Sequence, residues 1–92
     1  DELKEIVDRG KEKMQSGIII LGTNNNGKAV FVVGVTKDLI SKVKAGEIVK
    51  VAAQVAGGNG GGRPDFAQAG GKDGSAVKEA VEKAFEFITE KL

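Results

Sequence analysis

The chain has 92 residues, of which 40% are hydrophobic and 29% are charged, so it is long enough for one soluble domain with a modest core. It contains no cysteine and no histidine, which excludes disulfides, thiol nucleophiles, imidazole bases and the usual zinc ligands. The net charge is only +1, but residues 28–72 carry seven basic and three acidic side chains between acidic flanks. This basic centre suits contact with a polyanion, and an ordinary solvated surface explains it equally well.

The ends of the chain lack targeting features. No apolar run is long enough to cross a membrane, and no signal-like segment is present. Because the chain begins at Asp1 and not at methionine, we expect a fragment of a longer protein. We predict a leading, linker-like helix over residues 1–16 and a single domain over residues 17–92. The absence of cysteine fits a reducing compartment, which we take to be the cytoplasm.

Residues 2–15 are predicted to form an amphipathic helix that ends near Gly17. Its apolar stripe has spacings of three and four residues, and the remaining positions are nearly all charged. The stripe consists of Leu3, Ile6, Val7, Gly10 and Met14.

An antiparallel hairpin is predicted next. Ile18–Leu21 is a short run of apolar residues, and residues 23–28 have turn chemistry because asparagine and glycine tolerate positive φ. Residues 29–35 are apolar throughout and do not alternate. This second strand should therefore be buried on both faces at the centre of a sheet.

A helix is predicted over residues 45–56, after a short turn that Thr36 or Asp38 caps and that extends to Lys42. Gly57 and Gly58 supply the left-handed backbone that ends it. The residues predicted to face the core are Ile48, Val49, Ala52, Val55 and Ala56.

Residues 66–69 are predicted to form an edge strand that a right-handed crossover places parallel to the second strand. Ser75 is predicted to cap a final helix that extends to about Leu92. Its core-facing residues should be Val77, Ala80, Val81, Ala84, Phe85, Ile88 and Leu92. The predicted fold class is α/β: a small mixed sheet of about three or more strands with helices packed on it, in the order α-β-β-α-(glycine loop)-β-α.

Residues 57–72, GGNGGGRPDFAQAGGK, form the most unusual segment of the chain. A flexible linker would continue in small polar residues, whereas Pro64 and Phe66 follow the glycines directly. Arg63 and Pro64 stand where a phosphate-binding Walker loop needs lysine and a hydroxyl residue, and the spacing also fails the dinucleotide fingerprint. Asp65 has no second acid nearby in the sequence, so catalysis by this segment is not expected and no catalytic or metal-binding residue is assigned.

Two interpretations of the glycine segment remain, and the residues alone weigh them equally. In the first, exposed N–H groups approach phosphate or sugar, Arg63 contributes two donors, Lys72 adds a charge, and Gln68 bonds a hydroxyl or base edge. In the second, the glycines allow tight packing and Arg63 pairs with Asp65 or a carbonyl. The candidate nucleic-acid-binding residues are Gly58, Gly60, Gly61, Gly62, Arg63, Gln68, Gly70, Gly71 and Lys72, with Lys44 and Lys50 in support.

The segment Gly60–Asp73, GGGRPDFAQAGGKD, preceded by residues 44–49, KAGEIV, resembles the C-terminal globular domain of alanyl-tRNA synthetases. That domain belongs to a wider nucleic-acid-binding family that is also found attached to DHH phosphoesterases. The resemblance covers the whole chain and the same order of elements, and its motif is long and specific.

The resemblance implies a domain without an active site or cofactor of its own, which follows an editing domain. It would bind the outer corner of alanine-specific tRNA and help aminoacylation and editing act on one tRNA molecule. Implied partners are the tRNA, the other synthetase domains and a second copy in a homodimer. The parent would be an alanine–tRNA ligase that uses ATP, magnesium and zinc.

Three positions bear on this resemblance. Asn59 interrupts a run that is often all glycine in the family, and we expect its tolerance of left-handed backbone to preserve the loop. Gly74 stands where many members carry proline, which should loosen the start of the last helix. Arg63 replaces the histidine that is usual in phosphoesterase relatives, which favours the synthetase branch.

Two alternatives therefore accompany the tRNA-binding hypothesis. One is a structural or dimerising module in which the glycine motif serves packing alone. The other, more distant, is the substrate-binding domain of a DHH phosphoesterase.

Overall fold

The structure is a computed structural model, and it describes residues 2–13 and 15–92. Asp1 and Met14, the latter part of the predicted apolar stripe, lie outside the described residues. The elements are α1 (Glu2–Lys13), β1 (Ile18–Asn25), β2 (Lys28–Val35), α2 (Ala45–Val55), β3 (Asn59–Gly62), β4 (Phe66–Gly71) and α3 (Val77–Lys91), with 3-10 turns at Lys37–Leu39 and Gly74–Ala76. The predicted α/β class, with helices packed on a small sheet, is confirmed.

The sheet differs from the prediction in the direction and number of its strands. Its order is β1-β2-β4-β3, and every neighbouring pair is antiparallel. The predicted glycine loop contains the strand β3, which forms a hairpin with β4. Because this extra strand reverses the chain, β4 runs antiparallel to β2, and the predicted parallel pairing is wrong. β4 is also an interior strand and not the predicted edge.

The centre of the sheet is β2, as its continuous apolar sequence predicts. It pairs with β1 on one side and β4 on the other. Phe31, Val33 and Val35 contribute to a large core together with residues of α2 and α3. Val32, which lies between them on the opposite face, packs with Val7 of α1 and Phe66 of β4 in a second, smaller core. The fold therefore has three layers: α1, the sheet, and the α2–α3 pair.

Local backbone chemistry explains where most elements end. α2 ends at Ala56, and Gly57 has φ +72°, the left-handed conformation expected after a helix. The hairpin between β1 and β2 needs only the two residues Asn26 and Gly27, both with positive φ, so the predicted turn over residues 23–28 is shorter than expected.

The predicted side-chain caps are wrong. Thr36 makes no side-chain cap bond to the turn that follows it, and Asp38 lies within that turn and not before it. Ser75 lies within the second 3-10 turn, where Asp73 accepts a hydrogen bond from its N–H. Asn59 has no positive φ; it begins β3, and its Oδ1 accepts a hydrogen bond from Gly60 N. Gly74 is buried and donates to Gly27 O, so close packing surrounds the start of the last helical segment.

Three residues predicted to face the core are instead exposed. They are Ile6 (53%), Phe85 (57%) and Leu92 (59%). Phe87 of α3, which was not predicted to face the core, is half-buried against the large core. The apolar stripes of α1 and α3 are thus broader than the surfaces that the sheet and α2 cover.

Two kinds of feature are absent from the described residues. None of the helices within residues 2–13 and 15–92 is long and apolar enough to cross a bilayer. Over the same residues, no group of three or more histidine, cysteine, aspartate or glutamate side chains is placed to hold a metal ion.

Candidate nucleic-acid interface

The strand β3, sequence NGGG, forms one edge of the sheet and has almost no side chains. Its register pairs Asn59 with Gly70 and Gly62 with Ala67. Glycine is a poor strand former because it has no side chain to pack and loses much backbone freedom. The strand forms here because β4 supplies hydrogen bonds on one side and α2 packs against it.

Four of the candidate glycines are required by packing. A Cβ on Gly58 would collide with Gly70 O, and one on Gly60 would collide with the side chain of Ala69. A Cβ on Gly62 would lie 2.8 Å from Phe66 O, and one on Gly71 would lie 2.6 Å from Ala56 Cβ. These close approaches between the hairpin and α2, and within the hairpin, support the packing interpretation for these residues.

No close contact of this kind explains why residues 61 and 70 are glycine. The nearest atom to a Cβ built on Gly61 is Lys50 Cε at 3.9 Å, and on Gly70 it is Ala29 O at 3.5 Å. Both distances are ordinary van der Waals contacts, and neither residue has a left-handed backbone. Packing within the described residues therefore leaves room for a side chain at Gly61 and Gly70, so close contacts do not explain why these two positions are glycine.

A cleft of about 210 Å³ lies between the start of α2 and the end of β3. Lys44 and Lys50 are exposed, and they line it together with Gly62 and Pro64. A backbone hydrogen bond joins the two sides of the cleft: Ala45 N, the first N–H of α2, donates to Pro64 O over 2.8 Å. Glu47, which is also exposed, lines the cleft as well, so the arrangement presents two ammonium groups and one carboxylate beside a strand without bulky side chains.

Arg63 lies at the tip of the hairpin, between two residues that line the cleft. Its side chain is 74% exposed, and its Nε is 3.4 Å from Asp65 Oδ1. Lys11 of α1 also reaches Asp65: its Nζ donates to the backbone O over 2.9 Å and lies 3.5 Å from Oδ2. Partial burial opposes ionisation of Asp65, but the charges of Lys11 and Arg63 outweigh it and lower the pKa of this carboxyl.

The candidate residues do not form one cluster. Arg63 N donates to Phe66 O, and Lys72 follows the end of β4 six residues later, so the two lie about 20 Å apart along the hairpin. Lys72 is instead close to the end of α2, because Asp73 N donates to Ala56 O over 3.0 Å. These two cations can contact separate phosphates and cannot clamp a single one.

The candidate residues therefore divide into two groups, with Gln68 and Gly60, which pairs with Ala69, between them. Lys44, Lys50, Gly61, Gly62 and Arg63 lie at the hairpin tip and the start of α2. Gly58, Gly70, Gly71 and Lys72 lie at the opposite end of the hairpin. Gln68 is half-buried in the middle of β4 and pairs with Val32, so it lies on the face of the sheet that α1 covers in part.

Four neighbours of this interface were not among the predicted site residues. Pro64, Gly46 and Glu47 line the cleft, and Lys11 fixes Asp65 from α1. Gly46 lies within the motif that carries the family resemblance, and this membership is the sequence signal that could have indicated it. A Cβ built on Gly46 would lie 3.3 Å from Gly62 O, so α2 and β3 approach closely at this position. Lys11 and Asp65 are 54 residues apart, and no local pattern connects them.

A second polar cluster lies between the end of α1 and the start of β1. Asp38 accepts hydrogen bonds from the Ser16 and Thr36 hydroxyls, and these bonds lower the pKa of its carboxyl. Thr36 Oγ1 in turn accepts a bond from Gly17 N over 3.0 Å. The cluster fixes the connection between α1 and β1 and contains no unpaired group that would hold a ligand.

Comparison with known proteins identifies the family. Residues 1–90 match the family model of the DHHA1 domain. The chain is 52% identical over 91 residues to an alanine–tRNA ligase of Oceanobacillus iheyensis and 51% identical over 90 residues to one of Colwellia psychrerythraea. Each alignment covers 98% of this chain and 10% of the relative, so the chain spans about a tenth of the length of these ligases.

The fold is also similar to that of a solved structure, the C-Ala domain from Aquifex aeolicus alanyl-tRNA synthetase. The TM-score is 0.83 at 33% sequence identity, and the match covers 99% of this chain and 78% of that one. The sequence resemblance noted for the glycine segment is thereby confirmed over the whole chain. The chain therefore belongs to the DHHA1 domain family, as a C-Ala domain of the alanyl-tRNA synthetase type.

Proposed function

We propose that this domain binds tRNA at the outer corner of the folded molecule, through the hairpin tip and the start of α2. In the parent protein, an alanine–tRNA ligase, this contact would help aminoacylation and editing act on the same tRNA. The domain itself would contribute no catalytic group. ATP, magnesium and zinc would be bound by other domains of that cytoplasmic parent, and α1 would link the domain to the part of the chain that precedes it.

The observation that carries this proposal is the combination of Gly61 with its cationic neighbours. Gly61 has space for a Cβ, yet it is glycine, and Lys50 lies beside it. Lys44 lines the same cleft, and Arg63 extends from the adjacent residue into solvent. A strand face without side chains lets a ligand approach closely, and the ammonium and guanidinium groups beside it are the donors that suit a phosphate–sugar backbone.

The composition of the surface favours recognition of shape over recognition of bases. The chain has four phenylalanines and neither tyrosine nor tryptophan. Phe31 is fully buried and Phe66 is 9% exposed, so neither can provide a stacking platform. Contacts to phosphate and 2′-hydroxyl groups recognise folded RNA with few sequence-specific side chains.

The test is a titration of the wild-type chain and the Arg63→Ala variant against folded tRNA and a duplex RNA of similar charge, at two salt concentrations. We expect the wild type to prefer tRNA and Arg63→Ala to weaken that binding by about 1.5–3 kcal/mol, the range for a hydrogen bond to a charged group. Arg9→Ala, which removes the other arginine from the exposed surface of α1, is the matched control and should leave tRNA affinity unchanged.

Equal, weak binding of both RNAs by the wild type and Arg63→Ala, vanishing as salt rises, would contradict the proposal. The glycine segment would then serve packing alone. The domain's role would lie in contacts between proteins, and the exposed residues Ile6, Phe85 and Leu92 favour such contacts independently of RNA.

A further inference from the structure

The backbone of the hairpin tip between β3 and β4 is fixed by two neighbouring elements. Pro64 O accepts a hydrogen bond from the first N–H of α2 over 2.8 Å, and Asp65 O accepts one from Val35 N of β2 over 2.9 Å. Beside this fixed backbone, the Arg63 side chain is 74% exposed, and its Nε lies 3.4 Å from Asp65 Oδ1. The Asp65 carboxylate therefore decides how free the guanidinium group is to bind another molecule.

Lys11 of α1 reaches the same carboxylate from the other side. Its Nζ donates to Asp65 O over 2.9 Å and lies 3.5 Å from Oδ2. The Lys11 side chain is only 20% exposed, and its stem packs over Gly34 of β2, where an added Cβ would lie 2.8 Å from Lys11 Cδ. Packing and a hydrogen bond thus hold the ammonium group in place, and water and salt screen its charge less than that of a fully exposed lysine.

The two cations divide the two carboxylate oxygens between them. A guanidinium group binds a carboxylate most strongly when two of its N–H groups meet both oxygens, at about 2.7–2.9 Å. The 3.4 Å between Arg63 Nε and Asp65 Oδ1 is longer than such a bond, and the Lys11 ammonium beside Oδ2 repels a second cation there. Asp65 therefore holds Arg63 through one loose contact, which leaves the terminal N–H groups of Arg63 to an external acceptor.

The charges of the three side chains support the same conclusion. Burial opposes ionisation of Asp65, and of the two cations that lower its pKa, Lys11 has the larger effect. An Arg63–Asp65 pair without Lys11 would carry no net charge, and its carboxylate would repel an approaching phosphate. With Lys11 included, the three side chains carry one positive charge, which attracts a phosphate to the exposed member, Arg63.

We propose that Lys11 is a positioning residue for the tRNA contact: it engages the Asp65 carboxylate, so that the Arg63 guanidinium stays free to bind a phosphate of the RNA. This inference rests on the proposed function, in which Arg63 contacts tRNA, and it needs no contact between Lys11 and the RNA. It makes the docking of α1 on the sheet a condition of binding. Separation of α1 from the sheet would allow Asp65 to capture Arg63, as removal of the Lys11 charge would.

The test is a double-mutant cycle of Lys11 and Asp65, measured by titration with folded tRNA. Lys11→Met keeps an unbranched stem over Gly34 and removes the ammonium group. We expect it to bind tRNA about two- to fivefold more weakly than the wild type, the scale of one partly exposed ion pair. Asp65→Asn should bind at least as tightly as the wild type. Lys11→Met/Asp65→Asn should bind as Asp65→Asn does, because no carboxylate remains to capture Arg63.

The matched control is Lys13→Met, which removes the same charge from the last turn of α1 at an exposed position. Its tRNA affinity should stay within about twofold of the wild type, as expected for an exposed charge away from the contact. Equal losses for Lys11→Met and Lys13→Met would overturn the proposal, because a general effect of charge would then explain both. A Lys11→Met/Asp65→Asn chain that binds as weakly as Lys11→Met would also overturn it, because Lys11 would then act without Asp65.

A second measurement needs no RNA and separates this inference from the proposed function. The chain has two arginines, Arg9 and Arg63, so heteronuclear NMR should show two guanidinium Nε–H signals, which the Arg9→Ala variant assigns. In Lys11→Met the Arg63 signal should shift and exchange more slowly with water, because the guanidinium pairs with both oxygens of Asp65. The Arg9 signal should not change.

The two measurements fail in different ways. An Arg63 signal that Lys11→Met leaves unchanged would overturn the positioning role of Lys11, whatever the effect of Arg63→Ala on tRNA binding. An Arg63 signal that shifts as expected, in a protein whose Arg63→Ala variant binds tRNA normally, would overturn the proposed tRNA contact and leave only the competition for Asp65.

Discussion

The two edges of the sheet differ in almost every property except their backbone. The β3 edge has four residues, three of them glycine, and cationic side chains beside it. The β1 edge has eight residues, begins with four apolar ones, and has exposed apolar side chains on both faces. Both present open N–H and C=O groups. The comparison teaches that two edges with the same backbone differ in the side chains around them: cations lie beside β3, and apolar side chains lie along β1.

The largest expected effect is a difference in stability between two alanine substitutions, one just before β3 and one within it. Gly58→Ala should lower the free energy of unfolding by about 3 kcal/mol, because the new Cβ would collide with the backbone of Gly70 and the strands would have to separate. Gly61→Ala should change it by less than about 0.5 kcal/mol, because space for a Cβ exists there. Urea unfolding measures both.

The same pair of variants separates packing from binding. Gly61→Ala should weaken tRNA binding although its stability is unchanged, because the methyl group would cover the open face of β3 beside Lys50. A Gly61→Ala chain with wild-type stability and wild-type tRNA affinity would show that the external face of β3 is not a contact surface.

A smaller effect is expected from single lysines. Lys50→Ala should reduce the slope of log K against log salt for tRNA binding by about 0.7–0.9, the value for one lost phosphate contact. Lys83→Ala is the control: Lys83 lies on α3 and pairs with Glu86 through an exposed contact of 3.6 Å. Equal slopes for the two variants would indicate that the charge at the β3 edge is not selective.

The smallest effect concerns Asp65, which joins the hairpin to α1. Its folded-state pKa is lowered below the ordinary value of 3.8, so its stabilisation is present above that value and is lost as pH falls through the folded pKa. Asp65→Asn should therefore be less stable than the wild type at pH 7, by less than about 1 kcal/mol for such partly exposed pairs. Below the folded pKa the difference should vanish. A constant difference at all pH values in urea unfolding would exclude this ion pair as its source.

Much of the fold could be predicted from local patterns. The uninterrupted apolar run of β2 indicated a central strand, and the spacing of apolar residues indicated all three helices. Gly57 indicated the end of α2, because few residues other than glycine adopt its left-handed backbone. These features depend on neighbours in the sequence, so a single sequence was sufficient.

The rest depended on contacts between distant residues. β3 has no strand propensity of its own and forms because β4 and α2 hold it, and this strand decides the direction of β4. Helical spacing placed Ile6 and Phe85 on apolar stripes, but it contains no information on how wide a surface the sheet covers. For the candidate site, the motif indicated the right segment, whereas the division between Arg63 and Lys72 followed only from the register.

The glycine content of β3 has a consequence for the energetics of the whole domain. Each glycine loses more backbone entropy on folding than any other residue would, and β3 offers no side chains whose burial offsets that loss. The favourable enthalpy that orders the strand is therefore supplied from outside it, by β4 and by the buried face of α2. Because α2 packs against β3, a loss of packing beneath α2 should also destabilise this strand and weaken the proposed contact with tRNA.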